Sequence, residues 1–283
     1  MSFVISTQEL SRSYKTYRKA DGLWNSVKAF WGREHQVIRA LAPTTLQVEA
    51  GQIVGLVGAN GAGKTTLLKL LSGLIHPSTG SAEVLGYTPW LRNNEFLRQI
   101  SLLLGQKSQL WWDLPAADSF SLLAKIYDLP EKQAREDVAE LAERLQCTQQ
   151  LHVQLRRLSL GERMKMEIIG SLLHRPRILF LDEPTIGLDV MAQKAIRDFL
   201  SEYVVKYKPT ILLTSHYMDD ISQLADRLLL ISRGEIVYDG TVDSFVEKQN
   251  KDLSNEETDF EDVIRQFLEQ ESRRGSTRGP VTP

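Results

Sequence analysis

Apolar residues along this chain cluster in short uninterrupted runs, and segments with helical spacing separate several of these runs. Such runs are typical of buried strands, and Gly51–Val57 ends the longest strand-like segment. The predicted strands are 3–10, 36–57, 178–182, 210–215 and 227–232. The predicted helical regions are 64–74 and much of 115–174, with Pro115, Pro130 and Pro176 as boundaries. Strands alternating with helices predict an α/β fold in which a mostly parallel sheet is covered on both faces.

Length, charge and cysteine content then exclude several classes of protein. The 283 residues carry 34 Lys and Arg against 36 Asp and Glu, and this net charge of −2 argues against a protein that coats nucleic acid. No apolar run reaches the length of about 18 residues that a membrane helix needs. The single Cys147 excludes an internal disulfide, and residues 1–6 lack the basic and apolar parts of a secretory signal. We therefore expect a cytoplasmic protein.

Two segments depart from the α/β pattern. Residues 15–35 are rich in tryptophan and carry five basic against two acidic residues, a net charge of +3, and we interpret them as an insertion. Its apolar residues at helical spacing are Leu23, Trp24, Val27, Phe30 and Trp31. Residues 246–283 are acidic and predict a C-terminal helix near 256–270 followed by a disordered tail.

The segment 58–65 matches the pattern G-x-x-x-x-G-K-[ST] between an apolar strand and a helix, where this pattern forms a phosphate-binding loop. Its glycines let backbone N–H groups point at phosphate oxygens, and the following helix adds the positive end of its dipole. Lys64 would pair with the β- and γ-phosphates, and Thr65 would bind Mg²⁺. The candidate nucleotide-binding residues of this segment are Gly58, Asn60, Gly61, Gly63, Lys64, Thr65 and Thr66.

A second apolar strand ends in the acidic pair Asp182 and Glu183. Taken alone, this pair is at least as consistent with a solvated acidic turn after a core strand. Together with a phosphate loop, Asp182 is expected to hold the hydration shell of Mg²⁺, and Glu183 to polarise a water for in-line attack on the γ-phosphate. A GTPase is disfavoured because no Asn-Lys-x-Asp segment for reading the base occurs.

With these residues, the chain resembles the ATP-binding subunit of ABC transporters over roughly residues 3–245. The further motifs that carry the resemblance are Leu158–Glu162 for the signature, Gln106 for the Q-loop, Gly187–Asp189 for the D-loop and His216 for the switch histidine. The resemblance implies a P-loop NTPase fold, a RecA-like core with an N-terminal antiparallel β subdomain and an inserted helical subdomain at about 107–175. The ATPase domain would span 1–245 and the acidic C-terminal segment 246–283.

The resemblance also implies ATP and Mg²⁺ as cofactors and assigns residues to them. It implies catalytic roles for Glu183, His216 and Gln106, metal binding by Thr65, Gln106 and Asp182, and a nucleotide contact from Asp189. In the head-to-tail dimer of the family, Ser159 and Gly161 would face the γ-phosphate bound to the other subunit. An aromatic residue near the N-terminus is expected to stack on adenine, where Tyr14 fits best and Tyr17 is its rival.

The signature departs from the family pattern at two positions, because Leu160 replaces its first glycine and Glu162 its glutamine. Ser159 and Glu162 form a capping-box pattern ahead of a predicted helix over 163–173, so a plain capped core helix is the alternative interpretation. A carboxylate near the phosphate is expected to slow or retune hydrolysis.

Several phrases of the sequence resemble the ABC-2 type exporter group, whose ATPases pair with separate permeases in drug, lipid or polysaccharide export. These phrases are 105–113, 158–164 and 183–189. The implied partners are membrane permease subunits and a second ATPase subunit, identical or not, at the cytoplasmic face of the cell membrane, with no nucleic acid. An importer subunit and a soluble ABC-type ATPase acting on DNA or ribosomes are the alternative functions.

Two features keep two interpretations each. Trp111 and Trp112 either contact the permease or pack inside the helical subdomain. The insertion 15–35 is either an amphipathic helix at the membrane or the permease, or a segment that packs on the chain's own sheet.

Overall fold

The computed structural model describes residues 3–17, 35–105, 107–250 and 263–267. The strands are β1 (Phe3–Tyr17), β2 (His35–Glu49), β3 (Ile53–Val57), β4 (Thr79–Val84), β5 (Ile100–Leu104), β6 (Ile178–Asp182), β7 (Thr210–Thr214), β8 (Arg227–Ser232) and β9 (Glu235–Gly240). The α-helices are α1 (Lys64–Leu71), α2 (Asn94–Leu97), α3 (Ala116–Ile126), α4 (Glu131–Arg144), α5 (Leu160–Leu172), α6 (Val190–Tyr207), α7 (Met218–Leu224) and α8 (Val242–Asn250). Short 3₁₀ helices occupy Pro89–Leu91, Thr148–His152 and Leu155–Arg157, and residues 263–267 are helical.

The larger sheet has the strand order β5-β6-β7-β3-β8-β9, and its neighbours run parallel except for the antiparallel pair β8 and β9. Successive side chains of a strand point to opposite faces, so each inner strand supplies two cores. In β6, Leu179 and Leu181 enter one core while Ile178 and Phe180 enter the other. The continuous apolar runs of the sequence are therefore strands buried on both faces, as predicted.

The smaller sheet is antiparallel, with the order β2-β1-β4. One core lies between this sheet, α1 and one face of the larger sheet, and Ile5, Leu46, Leu67 and Phe180 are among its fully or nearly fully buried members. The other core lies between the opposite face of the larger sheet and helices α3 to α8. The architecture is the predicted α/β combination of a parallel core, an antiparallel β unit and a helical region.

The structure corrects several predicted boundaries in the N-terminal part. The predicted strand 36–57 is two strands, β2 and β3, because the chain turns at Gly51, whose φ is +77°. β1 continues past residue 10 and pairs with β2 up to Tyr17 and His35, so the ends of the predicted insertion belong to this hairpin. Residues 18–34, which make up the rest of the insertion, lie outside the described residues. β4, β5 and β9 were not predicted.

The helical boundaries also moved. α5 begins at Leu160 rather than at the predicted residue 163, and α1 ends at Leu71 rather than at 74. Helices α3, α4 and α5 lie within 107–175, while the domain limits themselves stay a prediction, and α8 runs through residue 245. Of the predicted helix near 256–270 and the tail, only 263–267 belong to the described residues. Within the described ranges, no helix combines the length and apolarity needed to cross a bilayer.

Candidate active site

The phosphate loop joins the end of β3 to the start of α1 at the carboxyl edge of the larger sheet. Gly63 occupies the N-cap position of α1 with φ +115°, and no side-chain hydrogen bond caps this start. A Cβ at Gly63 would lie 2.6 Å from the carbonyl oxygen of Ala40, and one at Gly58 would lie 2.1 Å from that of Ile231. Only glycine therefore fits at these two positions, and the backbone N–H groups at the start of α1 remain open to an anion.

The side chain of Lys64 bends back over the loop that it follows. Its Nζ donates to the carbonyl oxygens of Gly58 at 2.7 Å and Ala59 at 3.2 Å, and the residue is only 4% exposed. Burial lowers the pKa of Lys64, while the carboxylates of Glu183 and Asp182 act in the opposite direction. A buried ammonium held by two carbonyls is poised to exchange them for stronger acceptors such as phosphate oxygens. Asn60 and Gly61 are exposed on this loop, and Thr66 is half-buried in the first turn of α1.

Thr65 and Asp182 meet although 117 residues separate them. The Thr65 hydroxyl donates to Oδ1 of Asp182 at 3.0 Å, and the Thr214 hydroxyl donates to the same oxygen at 2.9 Å. Hydroxyl and carboxylate oxygens suit Mg²⁺, which is bound by few protein ligands together with phosphate and water oxygens. No group of three His, Cys, Asp or Glu side chains that would hold a metal alone exists in the described ranges. Gln106, the third predicted ligand, lies outside the described residues.

Glu183 and His216 form a direct pair at the ends of β6 and β7. Nε2 of His216 lies 2.9 Å from Oε1 of Glu183. Glu183 has a left-handed backbone, with φ +55°, and its N–H donates to the Thr214 hydroxyl at 3.0 Å. The strain of a non-glycine residue in this region is maintained by these contacts, which aim the carboxylate away from the strand direction.

The signature residues start α5, in a separate part of the chain's surface. Ser159 is the N-cap, and its capping box with Glu162 is complete: the Glu162 N–H donates to the Ser159 hydroxyl at 3.3 Å, and the Ser159 N–H donates to Oε2 of Glu162 at 2.9 Å. The Ser159 hydroxyl also donates to Oε2 of Glu162, at 2.8 Å. The Gln150 side chain donates to Oε1 of Glu162 at 3.0 Å. The Ser159 N–H, the Gln150 side chain and the Ser159 hydroxyl together lower the pKa of Glu162. A Cβ on Gly161 would lie 3.1 Å from the Cβ of Ala192 in α6.

Ser159 and Gly161 do not line the cavities beside the chain's own phosphate loop. Within the described part of the chain, one cavity of about 190 Å³ lies beside Thr65, Asp182 and Glu183, and another of about 290 Å³ lies between the loop and His216. Neither cavity is lined by a signature residue. Asp189 caps α6, because its Oδ1 accepts from the N–H groups of Met191 and Ala192 at 3.0 and 2.9 Å.

The aromatic residues that were predicted to contact adenine or the permease lie on different parts of the surface. Tyr14 lies on β1 with 40% exposure, and the Arg12 guanidinium lies 4.6 Å from its ring centre. The side chain of its rival Tyr17 lies outside the described residues. Trp111 and Trp112 are 40% and 47% exposed, and Arg163 of α5 lies 4.7 Å from the Trp112 ring centre.

Sequence reasoning missed two residues that orient this site. The Thr214 hydroxyl links the Asp182 carboxylate to the backbone of Glu183, since it donates to Asp182 and accepts from the N–H of Glu183. Asp220 is 1% exposed and accepts from the Ser215 hydroxyl at 2.6 Å and from Nη1 of Arg197 at 2.9 Å. Because Ser215 precedes the switch histidine, Asp220 fixes the loop that carries it. The only signal in the sequence was the polar end of an apolar strand followed by an Asp-Asp pair.

Comparison with known proteins shows which family the chain is similar to. Residues 41–186 match the family described as ABC transporter. Over 220 residues the chain is 30% identical to the ABC transporter ATP-binding protein NatA of Bacillus subtilis, covering 78% of this chain and 89% of that protein. Over 253 residues it is 30% identical to the bacitracin transport ATP-binding protein BcrA of Bacillus licheniformis, covering 89% and 74% of the two chains.

A solved structure shares the fold. It is the dimeric, post-hydrolysis state of an ATP-binding cassette bound to ADP and Pi, which superposes with a TM-score of 0.70 at 20% identity and covers 84% of this chain and 98% of that one. This likeness confirms the predicted P-loop NTPase fold.

Proposed function

Because this chain belongs to the ABC transporter family, as one of its ATP-binding and ATP-hydrolysing subunits, we propose that it powers export through separate membrane permeases. The observation that supports the proposed chemistry is a group of side chains at one edge of the sheet. Thr65 donates to Asp182, His216 pairs with Glu183, and the charges of both carboxylates act on the buried Lys64. A phosphate-binding loop, a metal-binding oxygen pair and a water-polarising carboxylate lie together at one edge of the sheet.

ATP binds with its phosphates at the open start of α1. In this proposal, Nζ of Lys64 exchanges the carbonyls of Gly58 and Ala59 for oxygens of the β- and γ-phosphates. The negative charge of these phosphates stabilises the buried ammonium more than the neutral carbonyls do. The loop N–H groups of the segment from Asn60 to Thr66 complete the cradle. Tyr14 stacks on the adenine.

Thr65 and Asp182 fit Mg²⁺ because they present a hydroxyl and a carboxylate oxygen at one point, and Gln106 is proposed as their third partner. The ion supplies neutralisation of the phosphate charge. His216 fixes the position of the Glu183 carboxylate through Oε1, and Glu183 orients and polarises the attacking water through Oε2. The roles of these residues are proposals from geometry and family resemblance.

We propose that a second ATPase subunit, identical or related, completes each site. The support is the position of Ser159 and Gly161, which start a helix but do not line the cavities beside their own loop. In a head-to-tail dimer, these residues and Asp189 of one subunit would approach the γ-phosphate bound to the other. The neighbour of this fold with ADP and Pi is itself dimeric.

The membrane partner is proposed to be a permease of the ABC-2 type, with this chain held at the cytoplasmic face of the cell membrane. The name of the relative BcrA, bacitracin transport, supports export of drug-like molecules over action on nucleic acid or ribosomes. Trp111 and Trp112 both retain exposed surface, and Trp112 lines a cavity of about 260 Å³, which favours a permease contact over complete burial in the helical region. The insertion 15–35 is proposed to contact one of three surfaces: the membrane, the permease or the chain's own sheet.

Mixing two inactive variants tests the shared site. Lys64→Ala damages the loop but keeps the signature, and Ser159→Arg does the reverse. In a mixed head-to-tail dimer, one site combines both intact elements, so ATPase activity measured by phosphate release should partly return relative to either variant alone. Activity that stays at the level of the single variants, while an affinity tag on one variant recovers the other with ATP present, contradicts the shared-site proposal.

A further inference from the structure

Helix α5 carries a buried carboxylate for which the proposed mechanism has no use. Glu167 is 4% exposed, and its Oε2 accepts from the N–H of Gln109 at 3.0 Å. Its Oε1 accepts from the Ser108 hydroxyl and from the N–H of Leu110 at 3.4 Å. Three donors from one short stretch of chain therefore converge on a single side chain of the signature helix.

Apolar packing holds the same stretch on α5. Leu110 is 5% exposed, and a Cβ on Gly170 of α5 would lie 3.0 Å from its Cδ2. Arg163, one turn before Glu167, lies over the ring of Trp112. Burial raises the pKa of Glu167, while the hydrogen bonds from residues 108–110 and the charge of Arg163 act in the opposite direction. Residues 108–112 are thus attached to α5 by hydrogen bonds, by packing and by a cation–π contact.

Just before this stretch, the chain is attached to the catalytic edge of the sheet. The N–H of Gly105 donates to the carbonyl oxygen of Asp182 at 2.8 Å. A Cβ on Gly105 would lie 2.2 Å from the carbonyl oxygen of Glu183, so no other residue fits there without moving this strand end. The N–H of Lys107 also donates to the carbonyl oxygen of Leu104 at the end of β5, at 2.8 Å. The chain thus passes within a few residues from the carboxylate pair to the stretch that Glu167 binds.

We propose that Glu167 is a positioning residue that fixes α5, and with it Ser159 and Gly161, relative to the carboxylates at the end of β6. This inference rests on the proposed function, because it matters for hydrolysis only if the start of α5 meets a γ-phosphate. A carboxylate serves here because it accepts from two backbone N–H groups and a hydroxyl at once. Glutamine would turn an amide N–H₂ towards one of these donors.

The test compares variants of the full chain with ATP. Glu167→Gln should make the amides of Gln109 and Leu110 exchange faster with deuterium, because their acceptor is weakened. The affinity for ATP should stay within about twofold, since the phosphate loop is untouched, while kcat falls about tenfold because misplaced catalytic groups lose rate rather than affinity. Ser108→Ala, which removes one of three donors and no buried volume from α5, should give a smaller loss of kcat in the same direction.

Ser171→Ala is the matched control. Ser171 lies on the same helix, is 2% exposed and donates only to the carbonyl of Ile168, so its loss should change neither the exchange at 109 and 110 nor kcat. The proposal is overturned if Glu167→Gln keeps kcat within twofold, or if ATP affinity falls as much as kcat does. A wild-type chain that binds ATP but does not hydrolyse it as a dimer contradicts the proposed function instead. Even then, unchanged deuterium exchange at residues 109 and 110 in Glu167→Gln would show that Glu167 does not hold this stretch on α5, and would overturn the proposal.

Discussion

The starts of α1 and α5 are two helix ends of one chain that are built in opposite ways. α1 begins at Gly63 with no side-chain cap and no acidic residue in its first turn. α5 begins at Ser159 with a complete capping box and Glu162 in its first turn. The charged groups differ too, because burial lowers the pKa of the cation Lys64 at α1, whereas hydrogen bonds lower the pKa of the anion Glu162 at α5.

This difference indicates a division of labour. The uncapped end of α1 leaves donors and a buried ammonium that only an anion satisfies, so it is expected to supply most of the affinity for ATP. The end of α5 is already satisfied by its own side chains and carries a negative charge. It is therefore expected to contribute little to binding and to act on the rate, once a second subunit brings it to the phosphate.

The largest expected effect comes from a variant that changes the catalytic step and leaves the starts of α1 and α5 unchanged. Glu183→Gln leaves α1 and α5 intact but removes the charge that polarises water, so hydrolysis should fall by about 10²- to 10⁴-fold with ATP binding nearly unchanged. The measurements are phosphate release and equilibrium binding of labelled ATP. Glu202→Gln, which neutralises an exposed carboxylate on α6, is the control. Near-normal turnover in Glu183→Gln would remove Glu183 from the catalytic role.

A pair of glycine variants tests directly whether the starts of α1 and α5 contribute differently to ATP binding. Gly63→Ala places a Cβ 2.6 Å from a carbonyl oxygen at φ +115°, so it should destabilise the fold by about 1–3 kcal/mol and weaken ATP binding at least about tenfold. Gly161→Ala meets only the Cβ of Ala192 at 3.1 Å and should leave binding within about twofold, because α5 is not where ATP is first held. Calorimetric titration and thermal melts measure both. Equal losses of affinity in the two variants would contradict the division of labour.

The residues at the start of α1 could be predicted from the sequence far better than the contacts around α5. The phosphate loop and the Asp182–Glu183 pair are local patterns, whose spacing alone carries the chemistry. Thr214, Asp220 and Glu167 act through contacts with residues 32, 23 and 59 positions away, which no local pattern encodes. For the same reason the extension of β1 to Tyr17 was missed, because its last residues are strand only by pairing with β2. The cap at Ser159 was recognised, but α5 begins directly after it, at Leu160.

A smaller effect sharpens the interpretation of α5. Glu162→Gln removes the negative charge that a partner's γ-phosphate would meet, so hydrolysis should rise by up to about fivefold, the rate equivalent of an exposed charge pair of about 1 kcal/mol. The same change should cost less than about 1 kcal/mol of folding free energy through the weaker cap. Phosphate release and thermal melts are compared with Glu143→Gln, an exposed carboxylate on α4. An unchanged or lower rate would mean that the carboxylate does not face phosphate.

The smallest expected effect is a pH dependence that belongs to α5 alone. Because hydrogen bonds lower the pKa of Glu162 in the folded chain, its carboxylate stabilises the fold above the ordinary glutamate range of about 4.3 and loses this contribution as the pH falls through the lower folded value. The melting temperatures of wild type and Glu162→Gln should therefore differ by about 1–3 °C at pH 7 and converge below pH 4.

Carbon-13 NMR titration of the Glu162 carboxyl measures the same quantity at the residue itself, and Ser159→Ala should raise its pKa towards the ordinary range. The start of α1 supplies no such signal, because its first turn holds no carboxylate and Lys64 stays charged throughout this acid range. If the difference between wild type and Glu162→Gln instead grew as the pH fell, the protonated form would be the one that the cap favours. The two helix ends would then not differ in the way that their hydrogen bonds indicate.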